Sequence, residues 1–235
     1  MSTLSKTQID RLGDRMRKGS ISEADIKMLN DYRRSFGDAY EEVIKTLKNN
    51  LNLRPAGRPA KSTGSIIEKL HRETIRLSQV QDIAGCRIIL KDIEEQDFTT
   101  ELIKNIFPSM IVIDRRTKPS YGYRAVHAII KINEKPIEVQ IRTLIQHKWA
   151  ELSEKLSDKI NPLIKYGRGD KNSLKLLRNY SNLTQSYEKI ERKILILKKN
   201  DPKNKEIKKL YSGILKIKKN IKKHLDQYIK EKVKL

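Results

Sequence analysis

Two neighbouring segments near the middle of the chain alternate apolar and polar residues with the two-residue period of a β-strand. In residues 136–143 the apolar side chains are Ile137, Val139 and Ile141, and residues 123–132 alternate in the same way. The connection between the two segments is so short that it requires a tight turn, so we predict a β-hairpin. Any fold that this chain adopts must build its other elements around that hairpin.

The sequence around the hairpin predicts further strands and helices. Apolar runs at residues 86–90 and 110–114 predict two more strands, with a helix between them at residues 96–106. Apolar residues that recur every three or four positions predict a helix pair or one broken helix at residues 22–48, and another helix at residues 144–159. This order of elements is typical of a sheet enclosed by helices.

The last third of the chain has a helical pattern. Residues 161–235 contain two long series of apolar residues at helical spacing, and Asn200-Asp201-Pro202 separates them as a stop, an N-cap and a first-turn proline. We therefore predict an α/β (α+β) fold with a mixed, mainly antiparallel central sheet flanked by helices and a C-terminal helical hairpin. The predicted regions are a helical region at residues 1–50, a core at residues 51–160 and a basic helical extension packed on the core at residues 161–235.

Positive charge is concentrated in that extension. The chain of 235 residues carries a formal net charge of +22, and residues 161–235 hold 22 Lys and Arg against 7 Asp and Glu. Such a density of positive charge attracts polyphosphates, nucleic acids and acidic surfaces. A solvated lysine-rich face is the alternative interpretation.

The composition excludes several classes of protein. No run of about 18 apolar residues occurs and the N-terminus has no apolar signal segment, so we expect a cytoplasmic protein with no membrane partner. A hydrophobic content of 37% is enough for a packed core, which argues against a wholly disordered chain. The one cysteine, Cys86, lies in an apolar run and is predicted to be a small buried hydrophobe.

The predicted hairpin brings polar side chains to one face of the sheet. Glu138, Gln140 and Arg142 alternate with the apolar residues of the second strand, and Tyr123 and His127 share a face of the first strand. If these faces coincide, an aromatic ring, an imidazole, a carboxylate and a guanidinium converge. An ordinary solvated polar face is the alternative.

A second group of charged residues surrounds Asp82, which stands just before the buried strand at residues 86–90. A carboxylate at a strand end is a typical magnesium ligand, and with Glu138 it could hold the cation of a phosphoryl-transfer site. Alone, Asp82 could instead be a helix cap or part of a salt bridge. Neither a P-loop nor a Gly-x-Gly-x-x-Gly motif occurs, so phosphates would have to be held by side chains and by the amides that open the helix at Ser65. The nearby cations are Arg58, Lys61, Lys69 and Arg87.

These residues lie in segments that resemble the synthetase domain of the RelA/SpoT pyrophosphokinases. The segments follow the family's order and are Lys61-x-x-x-Ser65-Ile66-x-x-Lys69-Leu70, Asp82-Ile83-Ala84-Gly85-Cys86-Arg87, Tyr121-Gly122-Tyr123-Arg124-Ala125-Val126-His127, Glu138-Val139-Gln140-Ile141-Arg142-Thr143, His147 and Ala150-Glu151. Many family members carry an arginine two residues before the lysine, where this chain has Pro59 and the nearest arginine is Arg58. The His-Asp motif of the family's hydrolase half does not occur, so we expect no reversal of the reaction by that route.

The resemblance implies an ATP-dependent pyrophosphokinase that uses Mg²⁺. It implies ATP-binding roles for one set of residues, namely Arg58, Lys61, Ser65, Lys69 and Arg87. It implies that Asp82 and Glu138 are the catalytic residues and magnesium ligands, with Glu138 as the base. It also implies that Tyr123 stacks on the acceptor base, and that the remaining acceptor-binding residues are His127, Gln140 and Arg142.

The resemblance leaves the acceptor open. Residues 31–40 and 81–87 are most similar to toxic small alarmone synthetases, several of which modify the 3′-CCA end of tRNA. This similarity implies a translation-inhibiting toxin with the tRNA 3′ end as acceptor and a cognate antitoxin protein as partner. The alternatives are a small alarmone synthetase that makes (p)ppGpp or (p)ppApp from GDP, GTP or an adenine nucleotide, and an RNA-binding module without catalysis.

Overall fold

The computed structural model describes residues 4–232, without the side chains of residue 222 and residues 224–232. Its helices are α1 (Lys6–Lys18), α2 (Glu23–Arg34), α3 (Gly37–Asn49), α4 (Thr63–Arg72), α5 (Ile93–Ile106), α6 (Leu144–Lys159), α7 (Lys171–Asn200) and α8 (Lys205–Lys232). Its strands are β1 (Ala56–Arg58), β2 (Ala84–Leu90), β3 (Ile111–Asp114), β4 (Val126–Ile132) and β5 (Lys135–Thr143). Short 3₁₀ turns lie at Leu77–Gln79 and Ile164–Tyr166. Within the part of the chain described, no helix is both long and apolar enough to cross a lipid bilayer.

The strands form one sheet in the order β1-β2-β5-β4-β3. The predicted fold class, a mixed α/β arrangement with a mainly antiparallel sheet, is confirmed. Strand β1 was not predicted, because its three residues lie in a segment rich in proline and glycine that indicates a loop. It pairs antiparallel with β2, and Arg58 lies opposite Gly85 in that register.

The chain divides into two compact units. Unit 1 comprises Met1–Ile88, Thr100–Ile113 and His127–Ile141, and unit 2 comprises Ile89–Thr99, Asp114–Val126 and Arg142–Leu235. The three regions proposed from the sequence stay a prediction.

The predicted hairpin is formed by β4 and β5. Asn133 and Glu134 connect the strands with φ values of 47° and 61°, the left-handed pair that a two-residue hairpin turn requires. Ile137, Val139 and Ile141 are fully buried, as their alternation predicted. Burial of each such side chain stabilises the fold by roughly 1.5–3 kcal/mol.

The N-terminal helices of unit 1 pack through single apolar stripes. The helix pair predicted at residues 22–48 is confirmed as α2 and α3. Helix α1 was not predicted, although a capping box at Ser5 and buried Leu12 and Met16 mark it as an amphipathic helix. It contacts both α2 and α4.

Strand β2 approaches β5 closely because residue 85 has no side chain. A Cβ atom at Gly85 would lie 2.4 Å from the carbonyl oxygen of Glu138, closer than any real side chain is tolerated. The next residue, Cys86, is buried as predicted, and burial raises the pKa of its thiol to about 12. Glycine at position 85 therefore permits the packing of β2 on β5.

The C-terminal helical hairpin predicted from the sequence is confirmed in unit 2. Helices α7 and α8 pack along their length, with a core formed by Tyr187, Ile194, Ile207 and Ile214. The predicted start of the second helix was wrong. Helix α8 begins at Lys205, so Pro202 lies in the turn before the helix and not in its first turn. In that turn the Lys203 amide donates to the Asp201 side chain.

Within unit 2, a buried ion pair links the segment before β4 to helix α7. The Arg124 Nε atom lies 3.1 and 3.0 Å from the two carboxylate oxygens of Glu188, and both side chains are about 5% exposed. Gln146 of α6 donates to the same carboxylate over 2.8 Å, and Gln96 of α5 donates to Gln146 over 2.9 Å. The polar groups of four segments therefore satisfy one another inside unit 2.

We expect Arg124→Met to lower the free energy of unfolding by about 3–5 kcal/mol, because it leaves the Glu188 carboxylate buried without a counter-ion. The matched control is Arg34→Met, which breaks an exposed pair with Asp31 and should cost about 1 kcal/mol or less. Urea unfolding followed through the fluorescence of buried Trp149 measures both. Equal effects of the two substitutions would contradict a structural role for Arg124.

Candidate active site

Three segments of unit 1 bring charged side chains to Asp82, which lies in the turn just before β2. The Nζ atom of Lys61 lies 2.6 Å from one Asp82 oxygen, and the Nζ atom of Lys69 lies 2.9 Å from the other. The Lys61 amide donates to the carbonyl of Ile83 over 2.7 Å, which fixes the segment after β1 against the entrance to β2. The predicted cations therefore lie together, and in this structure they form salt bridges with Asp82, as the alternative interpretation of Asp82 expected.

The remaining predicted ATP-binding residues lie around this cluster. Arg58 is exposed at the end of β1 and donates to the Asp82 carbonyl oxygen over 3.1 Å. Ser65 lies in the first turn of α4, where its amide and hydroxyl both bond the N-cap residue Ser62. Arg87 lies on β2 opposite Ala56 of β1. A helix start and several cations therefore occur together, a combination that suits anion binding.

The lysines determine the ionisation of Asp82. Burial alone would raise the pKa of Asp82, but the positive charges and hydrogen bonds of Lys61 and Lys69 outweigh burial and hold the pKa well below its ordinary value. Burial in turn lowers the pKa of Lys61, against the opposing effect of Asp82. The carboxylate is consequently ionised throughout the physiological pH range.

A second cluster in unit 1 is centred on Glu138 of β5. The Nδ1 atom of His127 lies 2.9 Å from one Glu138 oxygen, and the side-chain amide of Gln140 donates to the other over 2.7 Å. The hairpin produces this cluster, because His127 of β4 faces the same side of the sheet as Glu138 and Gln140. The sequence predicted the convergence of these three residues.

The Glu138 carboxylate is ionised for a different reason from Asp82. Burial would raise its pKa, but the hydrogen bond and charge of His127 outweigh burial, so the pKa of Glu138 lies below its ordinary value. The negative charge of Asp82 acts in the opposite direction and raises it. The two carboxylates therefore lie within electrostatic range of each other.

The other two predicted acceptor-binding residues form a contact within unit 2. The Nε atom of Arg142 donates to the Tyr123 hydroxyl over 3.1 Å, and its guanidinium lies 5.1 Å from the centre of the Tyr123 ring. The prediction that Tyr123 lies on a strand was wrong. Strand β4 begins at Val126, because Tyr121 and Gly122 adopt positive φ values of 53° and 92° and form a tight turn first.

Sequence reasoning gave no role to Arg124, although it lies in the same motif as Tyr123. Its position in the buried pair with Glu188 explains why an arginine stands there. The partner lies 64 residues away, on α7. No local signal in the sequence connects the two residues.

The carboxylates of unit 1 are compatible with a magnesium ion. Mg²⁺ prefers oxygen ligands and is commonly held by one or two carboxylates while it keeps waters and substrate phosphates. Asp82 and Glu138 supply two such carboxylates, both ionised. Among residues 4–232 no group of three or more His, Cys, Asp or Glu side chains is arranged to hold a metal by itself. The donor set thus fits an ion that arrives with a phosphate-bearing substrate.

Comparison with known proteins places this chain in a family. The family profile described as "Region found in RelA / SpoT proteins" matches residues 57–161, which contain both clusters. The fold is that of small alarmone synthetase 1 from Bacillus subtilis bound to its product pppGpp, with a TM-score of 0.53, 24% identity, and coverage of 72% of this chain and 96% of that one. The profile therefore marks a RelA/SpoT region in this chain, and the structural match shows the fold.

One curated relative gives the family assignment, and a second matches over a smaller share of its length. GTP pyrophosphokinase YwaC of Bacillus subtilis is 30% identical over 148 residues, which are 53% of this chain and 70% of YwaC. Uncharacterized protein Rv1366 of Mycobacterium tuberculosis is 36% identical over 114 residues, but these span 47% of this chain and only 40% of the relative. The chain belongs to the RelA/SpoT family, and the predicted resemblance to that family is confirmed.

We expect Lys69→Met to raise the pKa of Asp82, because it removes one of the two positive charges that stabilise the ionised carboxylate. Since the folded-state pKa lies below the ordinary value of 3.8, the ionised carboxylate stabilises the fold above about pH 4, and this contribution is lost as the pH falls. The free energy of unfolding should therefore decrease less on acidification in the variant than in the wild type.

Carboxyl carbon NMR shifts recorded against pH measure the pKa of Asp82 directly. The matched control is Lys45→Met, which removes an exposed cation of α3 and should leave that pKa unchanged. If Lys69→Met also leaves it unchanged, the lysine does not stabilise the carboxylate in solution.

Proposed function

We propose that this protein is an ATP-dependent pyrophosphokinase, which transfers the β,γ-pyrophosphate of ATP to a 3′-hydroxyl group. One arrangement carries the proposal. Lys61 and Lys69 contact the Asp82 carboxylate, and the Glu138 carboxylate lies within electrostatic range of Asp82. The names of relatives such as YwaC support the same reaction.

In the proposed reaction the acceptor 3′-oxygen attacks the β-phosphorus of ATP. The bond between that phosphorus and the α–β bridging oxygen breaks, AMP leaves, and the pyrophosphate stays on the acceptor. Glu138 takes the proton of the attacking hydroxyl. His127 and Gln140 position Glu138, since each bonds one of its oxygens and thereby orients the carboxylate. Magnesium, when bound by Asp82 and Glu138, offsets the charge of the phosphates.

Lys61 and Lys69 exchange partners when ATP binds, in this proposal. Their ammonium groups both contact the Asp82 carboxylate in this structure. The triphosphate offers a higher negative charge, so the lysines move to it and release Asp82 for the cation. Arg58, Arg87 and the α4 start at Ser65 complete the ATP site.

We expect Asp82→Asn and Glu138→Gln each to reduce pyrophosphate transfer by roughly 10²–10⁴-fold, because each removes a charged oxygen from the reacting centre with little change in size. The assay follows transfer of label from γ-labelled ATP to GDP, GTP, ATP or deacylated tRNA. Glu42→Gln, the same change at an exposed position of α3, is the matched control and should retain full activity. Wild-type turnover by either site variant at saturating magnesium contradicts the assignment.

We propose the 3′-CCA end of tRNA as the acceptor, which makes the protein a toxin that inhibits translation and is neutralised by an antitoxin. The excess of positive charge in residues 161–235 supports this choice, because RNA binding depends on phosphate contacts. Exposed lysines cover one side of α8. Tyr123 provides a ring on which a terminal base stacks, with Arg142 fixed against it.

A free purine nucleotide is the second candidate acceptor. The names GTP pyrophosphokinase YjbM and YwaC, carried by two relatives, favour this alternative. A tyrosine ring stacks on a guanine or an adenine alike, so the ring does not distinguish the two acceptors.

Neutralising exposed lysines of α8 separates the two acceptors. Lys208, Lys209, Lys216 and Lys219 are exposed and fall within about a third of the helix circumference. If tRNA is the acceptor, replacing all four by Gln should weaken its labelling, and each lost phosphate contact should lower the slope of log K against log[salt] by roughly 0.7–0.9. Labelling of GDP or GTP is the internal control and should not change, because a mononucleotide contacts only the pocket.

Unchanged tRNA labelling with an unchanged salt slope shows that α8 is a solvated lysine-rich face and favours the nucleotide acceptor. Labelling of GDP or GTP with no labelling of tRNA by the wild-type protein rejects the tRNA proposal outright.

A further inference from the structure

A cavity that lies wholly within unit 1 contains none of the residues predicted for the active site. Its volume is about 490 Å³, in the range of small-molecule sites. We call it the Lys135 cavity, and its lining is Lys6, Ile9, Tyr32, Phe36, Ser78, Gln79, Gln81, Ser109, Ile111, Ile129, Lys131, Glu134, Lys135 and Pro136.

Lys135 is the most unusual group in this cavity. It is half-buried at the start of β5, and its Nζ atom lies 5.3 Å from the ring centre of Tyr32 and 4.9 Å from that of Phe36. The same atom donates to the Ser35 hydroxyl over 2.8 Å. No carboxylate within the described residues lies at ion-pair distance from it. Two aromatic faces and one hydroxyl thus hold a positive charge without a counter-ion.

Burial lowers the pKa of Lys135, because the ammonium group has lost part of its hydration. An anion beside Lys135 would restore the charge balance. The residues that line the cavity include three lysines, Lys6, Lys131 and Lys135, and one carboxylate, Glu134, which already pairs with Lys131 over 3.2 Å. Asp10 lies just outside the lining, where it accepts from the Ser78 amide. The excess of positive charge in the lining favours an anion.

The cavity also offers groups that suit a polar-edged ring. Ile111 and Ile129 provide an apolar wall, and Ile111 is 55% exposed although it lies on a strand. The hydroxyl oxygen of Ser78 is buried and has no hydrogen-bond partner among residues 4–232. Gln79, Gln81 and Ser109 line the same space. A buried hydroxyl without a partner costs free energy that a ligand can recover.

We propose that the Lys135 cavity binds a nucleoside monophosphate or a similar phosphorylated heterocycle, with the phosphate at Lys135 and the ring against the apolar wall. Inorganic phosphate alone would leave the wall uncovered, and an apolar ring alone would leave the Lys135 charge uncompensated. This site lies outside the clusters of Asp82 and Glu138, so the proposal does not depend on the transfer reaction.

The test is a titration with AMP followed by backbone amide NMR, which reports where the ligand binds. AMP should shift the amides of Ser78, Gln79, Ser109 and Lys135, whether or not it also shifts those of Ser65 and Lys69. Lys135→Gln should weaken the response at the cavity amides at least about tenfold. Lys48→Gln, which removes an exposed cation of α3 outside the cavity, should leave it unchanged.

Two further arms keep the test decisive. Ser109→Trp places a large ring at the exposed edge of the cavity and should block the response even if Lys135→Gln lowers the melting temperature. Titrations with adenosine and with inorganic phosphate should each give a weaker response than AMP. AMP shifts confined to Ser65 and Lys69, equal effects of the two lysine variants, or equal binding of AMP and phosphate would each overturn the proposal.

Discussion

The close approach of β2 to β5 at Gly85 is the constraint from which the candidate site follows. Because position 85 has no Cβ, the carbonyl of Glu138 lies where a side chain would otherwise stand. The contact fixes the start of β2, and with it Asp82, relative to the carboxylate of β5. Arg58 pairs opposite Gly85, and the Lys61 amide bonds Ile83, so the cations take their positions from the same strand. The absence of a side chain at position 85 thus permits the strand packing on which the positions of both carboxylates depend.

Charge balance then determines how the site can work. Each buried carboxylate is paired before any substrate arrives, Asp82 with Lys61 and Lys69 and Glu138 with His127. Buried ions without partners are costly, so the fold needs these pairs. In the proposed reaction a triphosphate replaces Asp82 as the partner of the lysines, whereas Glu138 keeps its own partners. Asp82 is consequently the group whose surroundings change on binding, and Glu138 is the one that stays oriented.

Local patterns predicted most of the helices and strands and the convergence of His127 with Glu138, but not α1, β1 or the long-range pairs. The alternation of apolar and polar residues predicted the hairpin and the contact between His127 and Glu138, because these two residues lie on adjacent strands joined by one short turn. It misplaced Tyr123, because the alternating pattern continues through Tyr123, whereas the turn at Tyr121 and Gly122 delays the start of the strand to Val126. The pattern did not predict the pair between Arg124 and Glu188. Helical and strand periodicity indicate which face of an element is buried, but not which residues that face contacts.

In the proposed function, the choice between the two acceptors is made away from the carboxylates. Glu138 needs only a 3′-hydroxyl, and stacking on Tyr123 is tolerant of the base, so neither contact distinguishes a tRNA end from a mononucleotide. A tRNA differs from a mononucleotide in its many phosphates, whose contacts with cations strengthen binding and make the affinity depend on salt concentration. The lysines of the basic C-terminal helices could contact these phosphates, and a mononucleotide would not need them. Under the proposed function, specificity therefore depends on surface charge, because the proposed chemistry of the pocket is the same for either acceptor.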